Sequence, residues 1–276
     1  MSMDQSAVKE IQKSDATQAV NQAVNDAITS PTAVCSLPSD FGMVNLERYL
    51  PNRLRMRGKM ETTVIADFAR YVKKNELDGS TCFLDPEAMR AVAVLNIGDK
   101  EVPGHCDFNA TLRLQKTSEY KALLTADGSR SSQKELAEWI EDWRDNLVFF
   151  DAEGVSIETR RAIGAVRRLT IESSRREDHE DQQFAATKSA LESIEAKGDG
   201  GMPSGFRFTC VPYKSLNEHS FEARISIITG GDAPKLTVRV KQLELEQERI
   251  AEDFKRILED ALVDTNTDLY LGEFDS

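Results

Sequence analysis

The sequence of 276 residues has few of the side chains from which metal centres and disulfide frameworks are built. It contains four cysteines and three histidines, and no two cysteines have CxxC spacing. Cysteines this far apart are typical of reduced cytosolic thiols, whereas zinc sites and disulfide scaffolds need closely spaced sets. The four are Cys35, Cys82, Cys106 and Cys210. We therefore expect no cofactor and no structural metal.

Long apolar runs are also missing. No window approaches the roughly eighteen consecutive apolar residues that a membrane-spanning helix needs. The N-terminus lacks a basic segment followed by an apolar run, which is the pattern of a secretory signal. These absences predict a soluble protein that works in the cytoplasm and has no membrane partner.

The common loop motifs of enzymes are absent. The sequence contains no GxxxxGK[ST], GxGxxG or GxSxG, so phosphate-loop, dinucleotide and serine-hydrolase chemistry have no support. His105-Cys106-Asp107 could ligate zinc or pair a nucleophile with a base. Adjacent strand residues point to opposite faces, however, so we interpret this cluster as a turn leading into a strand. A second cluster, Asp178-His179-Glu180-Asp181, is interpreted as a solvated helix face.

Charge is unevenly distributed along the chain. Acidic residues outnumber basic ones by 47 to 35, giving a net charge of −12. Phosphate repels a uniformly acidic surface, so non-specific coating of DNA is disfavoured, although a local basic groove is not excluded. Residues 46–74 contain eight basic and three acidic side chains, whereas residues 241–276 contain four and eleven. Segments of opposite sign can pair within one molecule or between subunits.

An amphipathic helix that carries both tryptophans anchors the predicted fold. Apolar residues recur at steps of three and four in residues 132–150, and Trp139 and Trp143 lie on that stripe. Ser132 and Glu135 have the spacing of a capping box. Burying two indole rings, at about 25 cal/mol per Å² of apolar surface, contributes several kcal/mol. We expect a large apolar surface to cover this helix.

The remaining patterns predict an α+β fold, with a mainly antiparallel sheet packed by amphipathic helices. Period-two and continuous apolar runs predict strands at 82–84, 91–97, 107–114, 206–213, 221–229 and 236–241, with residues 120–124 continuing the sheet. Helical periodicity predicts helices at 62–74, 155–171, 173–196 and 246–263. Gly230-Gly231-Asp232 predicts a hairpin turn between the last two strands.

The chain divides into three predicted parts. Residues 1–45 form a mobile N-terminal arm, flexible or ordered on assembly, because its apolar stripe is too thin to hold a helix alone. Residues 46–200 form an α+β core with a helical insert at 155–196. A glycine-rich linker precedes residues 201–276, a three-stranded meander followed by an acidic helix. Whether this last part closes the same sheet or forms a second lobe stays open.

Two sets of three arginines are candidate contacts for anions, nucleic acid or another subunit. One set alternates along a single segment and would share one face of a strand; the other occupies outward positions on three predicted strands. The first set is Arg53, Arg55 and Arg57, and the second is Arg207, Arg224 and Arg239. A helical set consists of Arg160, Arg161, Arg167 and Arg168. These side chains could track phosphates, or they could pair with the two acidic helices.

Several stretches resemble the YfdQ-like family of uncharacterised phage and prophage proteins. The resemblance covers roughly residues 46–270, and its motifs follow strands and helices rather than catalytic signatures. They are RLRMRGK, CFLD, AVAVLN, PGHCD, FNATLRL, SSQKELAEW, GFRFTCVPY, FEARISI and LTVRV. The resemblance implies a phage or prophage origin and a bacterial cytoplasm, and it implies no activity.

Three functions follow as hypotheses. The first is a non-enzymatic accessory protein that self-associates as a homo-oligomer and binds a host or phage protein. The second is a single-stranded nucleic-acid-binding protein of phage recombination, which would use the two arginine sets. The third, ranked last, is an enzyme with an unrecognised site near His105.

Overall fold

The computed structural model describes residues 5–29, 47, 50–169, 202–228 and 234–274. The chain divides into two units, Met1–Met56 and Arg57–Ser276. The helix predicted at 173–196, the turn predicted at 230–232, the cluster at 178–181 and Cys35 lie outside the described residues. In the first unit, α1 (Gln5–Thr29) is a helix, and its described side chains at 13–26 are mostly exposed.

The second unit contains five described helices and eleven strands. The helices are α2 (Ile65–Asn75), α3 (Ser118–Ala126), α4 (Gln133–Asp142), α5 (Thr159–Arg168) and α6 (Leu243–Leu262). The strands are β1 (Gly58–Thr62), β2 (Thr81–Asp85), β3 (Arg90–Val94), β4 (Phe108–Arg113), β5 (Arg130–Ser131), β6 (Leu147–Phe150), β7 (Ser156–Ile157), β8 (Gly205–Cys210), β9 (His219–Ile228), β10 (Lys235–Val240) and β11 (Asp268–Leu271).

The first sheet has the strand order β1-β4-β3-β2-β11. Its inner pairs are antiparallel, whereas the edge strands β1 and β11 run parallel to β4 and β2. Small side chains line the middle of its buried face, where Cys82, Ala93 and Ala110 are aligned across three strands. Helix α2 packs on β1 and β4 and buries Phe68 and Val72 completely.

The second sheet has the order β5-β10-β9-β8-β6-β7, and every pair is antiparallel. Its inner face is aromatic, with Phe206 and Phe208 at most 1% exposed. The half-buried ring of Trp139 lies 5.8 Å from each of these two rings, and Trp143 lies 6.5 Å from Phe208. The surface that covers the tryptophan helix is therefore the aromatic layer of this sheet.

Helix α6 joins the two sheets. It contacts α2 on the side of the first sheet and β9 of the second. Its buried stripe consists of Ile250, Phe254, Leu258 and Leu262, spaced by four residues so that they share one face. The α+β prediction is confirmed, but the strands form two sheets, and residues 202–276 supply strands to both.

Two predicted elements are wrong in type. Residues 120–124 lie in α3, not in a strand, because Thr117 caps this helix by accepting a hydrogen bond from the Tyr120 amide at 3.3 Å. The tryptophan helix ends at Asp142, and residues 147–150 form β6. There Val148 is exposed between the buried Leu147 and Phe149, which is the period of two of a strand. The prediction of one helix over residues 132–150 is therefore wrong for its last four residues.

The alternating arginine segment is not a strand. Residues 53–57 precede β1, which begins at Gly58, where pairing with Phe108 of β4 begins. Between the arginines, Leu54 is 80% and Met56 57% exposed, so this alternation has no buried side on which a strand would pack.

Within the described residues, no helix has the length and apolar content to cross a membrane.

The capping box of α4 gives a test of the fold. The Ser132 hydroxyl accepts a hydrogen bond from the Glu135 amide at 3.2 Å, and the Glu135 carboxylate accepts one from the Ser132 amide at 2.7 Å. We expect Ser132→Ala to lower the free energy of unfolding by about 1 kcal/mol, measured by urea denaturation. The exposed Ser156 provides the control as Ser156→Ala, and an equal loss in both variants would refute the role of the cap.

Candidate functional site

The outward side of the second sheet carries a cluster of basic side chains, which we call the arginine face. Along β8, Phe206 and Phe208 point to the core, so the exposed Arg207 between them points outward. The same alternation places basic side chains outward on the neighbouring strands β9, β10 and β5. The arginine face consists of Arg130, Arg207, Arg224, Lys235 and Arg239. The three strand arginines selected from the sequence therefore share one surface.

Two of these arginines lie directly opposite each other. Arg224 of β9 and Arg239 of β10 are register partners. Directly opposed residues on one face have Cβ atoms about 4.5–5.5 Å apart, and like charges at that separation destabilise a sheet. This pair is therefore an electrostatic cost within the protein, and an anion bound between the two guanidinium groups would offset it.

Acidic partners balance only part of the arginine face. Arg239 lies 3.7 Å from the Asp127 carboxylate, and Arg207 lies 3.4 Å from Glu222. Within the described residues, no carboxylate forms an ion pair with Arg224. Neither acidic partner lies on the tryptophan helix or on α6, so these three arginines do not pair with the acidic helices as one reading of the sequence predicted.

An aromatic ring borders the arginine face. The Arg207 guanidinium lies 5.4 Å from the ring centre of Phe150, an arrangement that allows cation–π attraction. Val148, the register partner of Arg207, is 45% exposed on the same side of the sheet. Apolar groups therefore adjoin Arg207 on one side, and Glu222 is its register partner on the other.

The other arginine sets are placed differently. Arg53, Arg55 and Arg57 lie in the irregular segment before β1, so these three do not form one strand face. On α5, Arg167 makes a 2.7 Å ion pair with Glu141 of α4. Arg167 therefore pairs with an acidic side chain of the tryptophan helix, as one interpretation of the sequence predicts.

His105 and Cys106 lie in the turn before β4. His105 is exposed, and the adjacent Cys106 has a φ of 54°, a left-handed conformation. A Cβ at Gly104 would overlap the Asn96 carbonyl, so this turn requires glycine. Asp107 accepts a hydrogen bond from the Asn96 amide group at 3.0 Å. No group of three or more potential ligands is placed to hold a metal ion in the part of the chain that the structure describes.

Sequence reasoning missed one cluster that contains a cysteine, a histidine and a carboxylate. Cys210 of β8 and His219 of β9 are register partners, and the His219 Nε2 lies 3.6 Å from Asp253 of α6. Burial raises the pKa of the Cys210 thiol to about 12, whereas a nucleophilic cysteine needs a lowered pKa. Cys210 is 3% exposed, so a substrate could not reach its sulfur. This cluster supports the fold and does not form a nucleophilic site.

Asp253 holds the chain before β9 against α6. Its carboxylate accepts hydrogen bonds from the Asn217 amide at 3.1 Å, the Asn217 side chain at 2.8 Å and Arg256 at 2.6 Å. Burial acts to raise the pKa of Asp253, but these hydrogen bonds outweigh it and hold the pKa below its ordinary value of 3.8. The ionised carboxylate is therefore the form that the fold favours.

The chain matches a known protein family over nearly its whole length. A family model described as Uncharacterized conserved protein (DUF2303) matches residues 4–274. No curated protein and no solved structure matches.

Replacing Asp253 tests whether its carboxylate holds the chain before β9 against α6. We expect Asp253→Ala to lower the free energy of unfolding by about 2 kcal/mol at neutral pH, because charge-assisted hydrogen bonds are lost. A carboxyl group with a lowered folded-state pKa stabilises the fold above its unfolded pKa and loses that contribution as the pH falls. The difference between wild type and variant should therefore shrink below about pH 3.8.

The control is Asp260→Ala, which removes an exposed carboxylate from the same helix. We expect it to change stability by less than about 0.5 kcal/mol. A difference for Asp253→Ala that stays constant as the pH falls through the acid range would contradict the assignment.

Proposed function

The chain belongs to this family of uncharacterised conserved proteins, and we propose that it is a non-enzymatic accessory protein of a phage or prophage that acts by binding in the bacterial cytoplasm. The resemblance of its motifs to phage and prophage proteins supports the origin. The arginine face supports a function in binding. The protonated, inaccessible Cys210 thiol argues against nucleophilic catalysis at the cluster of Cys210, His219 and Asp253.

The ligand that we propose for the arginine face is single-stranded nucleic acid. The observation that carries this proposal is the direct opposition of Arg224 and Arg239 on neighbouring strands. Phosphate groups would neutralise both guanidinium groups and release counterions from the nucleic acid. A row of cations across several strands matches a phosphate backbone better than it matches a single small anion.

The apolar border of the face favours a single strand over a duplex. Bases of a single strand are free to stack on aromatic and guanidinium planes, and each stacked base contributes about 1–3 kcal/mol. Phe150 and Arg207 offer such planes at the edge of the arginine face. In duplex DNA the bases are stacked on one another and cannot use these groups without being unpaired.

The net charge of −12 disfavours non-specific binding of nucleic acid over the whole surface. Acidic surfaces elsewhere repel the phosphate backbone, so the strand would approach through the arginine face. Binding should therefore be local and strongly dependent on salt.

Titration with a labelled oligonucleotide tests this function. We expect oligo(dT) of about 20 nucleotides to bind the full chain at low salt in fluorescence anisotropy, more tightly than a duplex of equal length. The double variant Arg224→Gln/Arg239→Gln should bind at least about tenfold more weakly. Its slope of log affinity against log salt should fall by about 0.7 for each phosphate contact that is lost.

Arg70→Gln is the matched control, because Arg70 is an exposed arginine of α2 that pairs only with Asp67 on its own helix. It should bind as the wild type does. No binding of oligo(dT) at low salt ends this proposal, and so does an equal loss of affinity in the control.

Self-association is the second candidate function. The observation that favours it is the segregation of opposite charges along the sequence, with basic residues in excess at 46–74 and acidic residues in excess at 241–276. On α6, Glu244, Glu248 and Glu252 form no ion pair with a described residue. Copies of the chain could meet through such surfaces in a homo-oligomer.

Light scattering coupled to size exclusion measures this assembly in the full chain. We expect a mass above the 30.8 kDa of one chain at low salt, and a fall toward that mass as salt screens the contact. A single-chain mass at every salt and protein concentration would rule out self-association while leaving nucleic-acid binding untouched.

A further inference from the structure

The second unit has a cleft of about 830 Å³ beside α6. One side is formed by α6, and the other by the turn between β2 and β3 together with the end of β11. Tyr120 and Tyr213 line it between these sides, with their ring centres 5.8 Å apart. The volume is within the range of sites that bind ligands or peptide segments. None of the functions above uses this cleft directly.

A row of glutamates lines the α6 side of the cleft. Glu244, Glu248 and Glu252 recur every four residues, so they stand above one another along the helix. Like charges at this spacing repel each other. None of the three forms an ion pair with a described residue, whereas Glu246 and Asp253 elsewhere on α6 pair with arginines of their own helix. Lys116 and Lys255 also line the cleft, but neither forms an ion pair with the row, and Lys255 lies 3.7 Å from Glu259 instead. With Glu87, the lining contains four glutamates and two lysines, so its excess of negative charge would be stabilised by a cationic partner.

The spacing of the row fits an extended chain with a cation at every second residue. Glutamates four residues apart are separated by about 6 Å along a helix. Alternate residues of an extended chain are separated by about 6.6 Å and point to the same side. Three cations at i, i+2 and i+4 of an extended segment can thus face the three glutamates in order.

The chain itself contains such a segment at residues 53–57. Arg53, Arg55 and Arg57 alternate with Leu54 and Met56. Leu54 is 80% and Met56 57% exposed, which leaves apolar surface without cover. When this segment is extended, its arginines point to one side and its apolar residues to the other.

The opposite side of the cleft suits those apolar residues. Met89 is buried there, and Leu271 is 59% exposed at the end of β11. A chain lying along the cleft would place arginines against α6 and apolar side chains against Pro86 and Leu271. Both the charges and the apolar surfaces are then complementary.

We propose that the cleft binds residues 53–57 of a second copy of this chain in extended conformation. The proposal rests on the second candidate function, self-association, and assigns it two surfaces. Because the segment and the cleft are different surfaces, the contact is heterologous, and it builds rings or open chains of copies. The contact should weaken as salt screens its ion pairs.

Charge reversal on each surface tests the proposal in the full chain. Glu248→Arg disables the cleft, and Arg55→Glu disables the segment. We expect each variant alone to remain at the 30.8 kDa mass of one chain under conditions where the wild type assembles, with its dissociation constant raised at least about tenfold. Mixing the two variants should restore a complex of two chains, because the mixture contains an intact cleft and an intact segment on different molecules. This rescue also shows that both variants are folded.

Asp260→Arg is the control for the cleft, because it reverses an exposed charge on α6 outside the cleft. It should assemble as the wild type does. The proposal is overturned when the mixed variants stay monomeric, or when Asp260→Arg dissociates as completely as Glu248→Arg.

The outcome separates this proposal from those above. If Glu248→Arg and Arg55→Glu assemble as well as the wild type does, self-association is supported and the cleft is not the surface that mediates it. Arg224→Gln/Arg239→Gln should assemble normally, so loss of oligonucleotide binding in that variant does not bear on the cleft.

Discussion

The buried stripe of α6 is the packing interaction on which both sheets depend. Phe254 and Leu258 are fully buried, and the helix that carries them touches α2 on one side and β9 on the other. The two sheets share one continuous core through this helix. Because one face of α6 is committed to that core, its remaining faces are available for other contacts: Asp253 holds the chain before β9, and Glu248 lines the cleft.

Local patterns in the sequence were sufficient for elements with a strong period. The capping box of Ser132, the stripe of Ile250, Phe254 and Leu258 and the alternation around Arg207 all lie within one segment, and each is present in the structure. Short apolar stretches were ambiguous. The five residues 120–124 show too little periodicity to distinguish a strand from a helix, and the decisive signal is the cap at Thr117.

Contacts that depend on strand register could not be predicted from the sequence. Alternation showed that Arg224 and Arg239 point outward, but only the pairing of β9 with β10 brings them face to face. The same holds for Cys210 and His219, which lie opposite each other only because β8 pairs with β9. A one-residue shift of register would have turned every one of these side chains to the other face of its sheet.

Repulsion between like charges is the feature that the arginine face and the cleft have in common. A pair of opposed arginines and a row of glutamates each lower stability in the isolated chain. Of the two opposed arginines, Arg239 pairs with Asp127, whose carboxylate also accepts a hydrogen bond from the Val240 amide. Arg224 forms no ion pair with a described residue. Neither surface contributes to the core, so a fold selected for stability alone gains nothing from this arrangement. A ligand of opposite charge relieves the repulsion within each surface, and that relief contributes to the free energy of binding. Because the two surfaces have opposite sign, a polyanion can bind the arginine face but not the cleft.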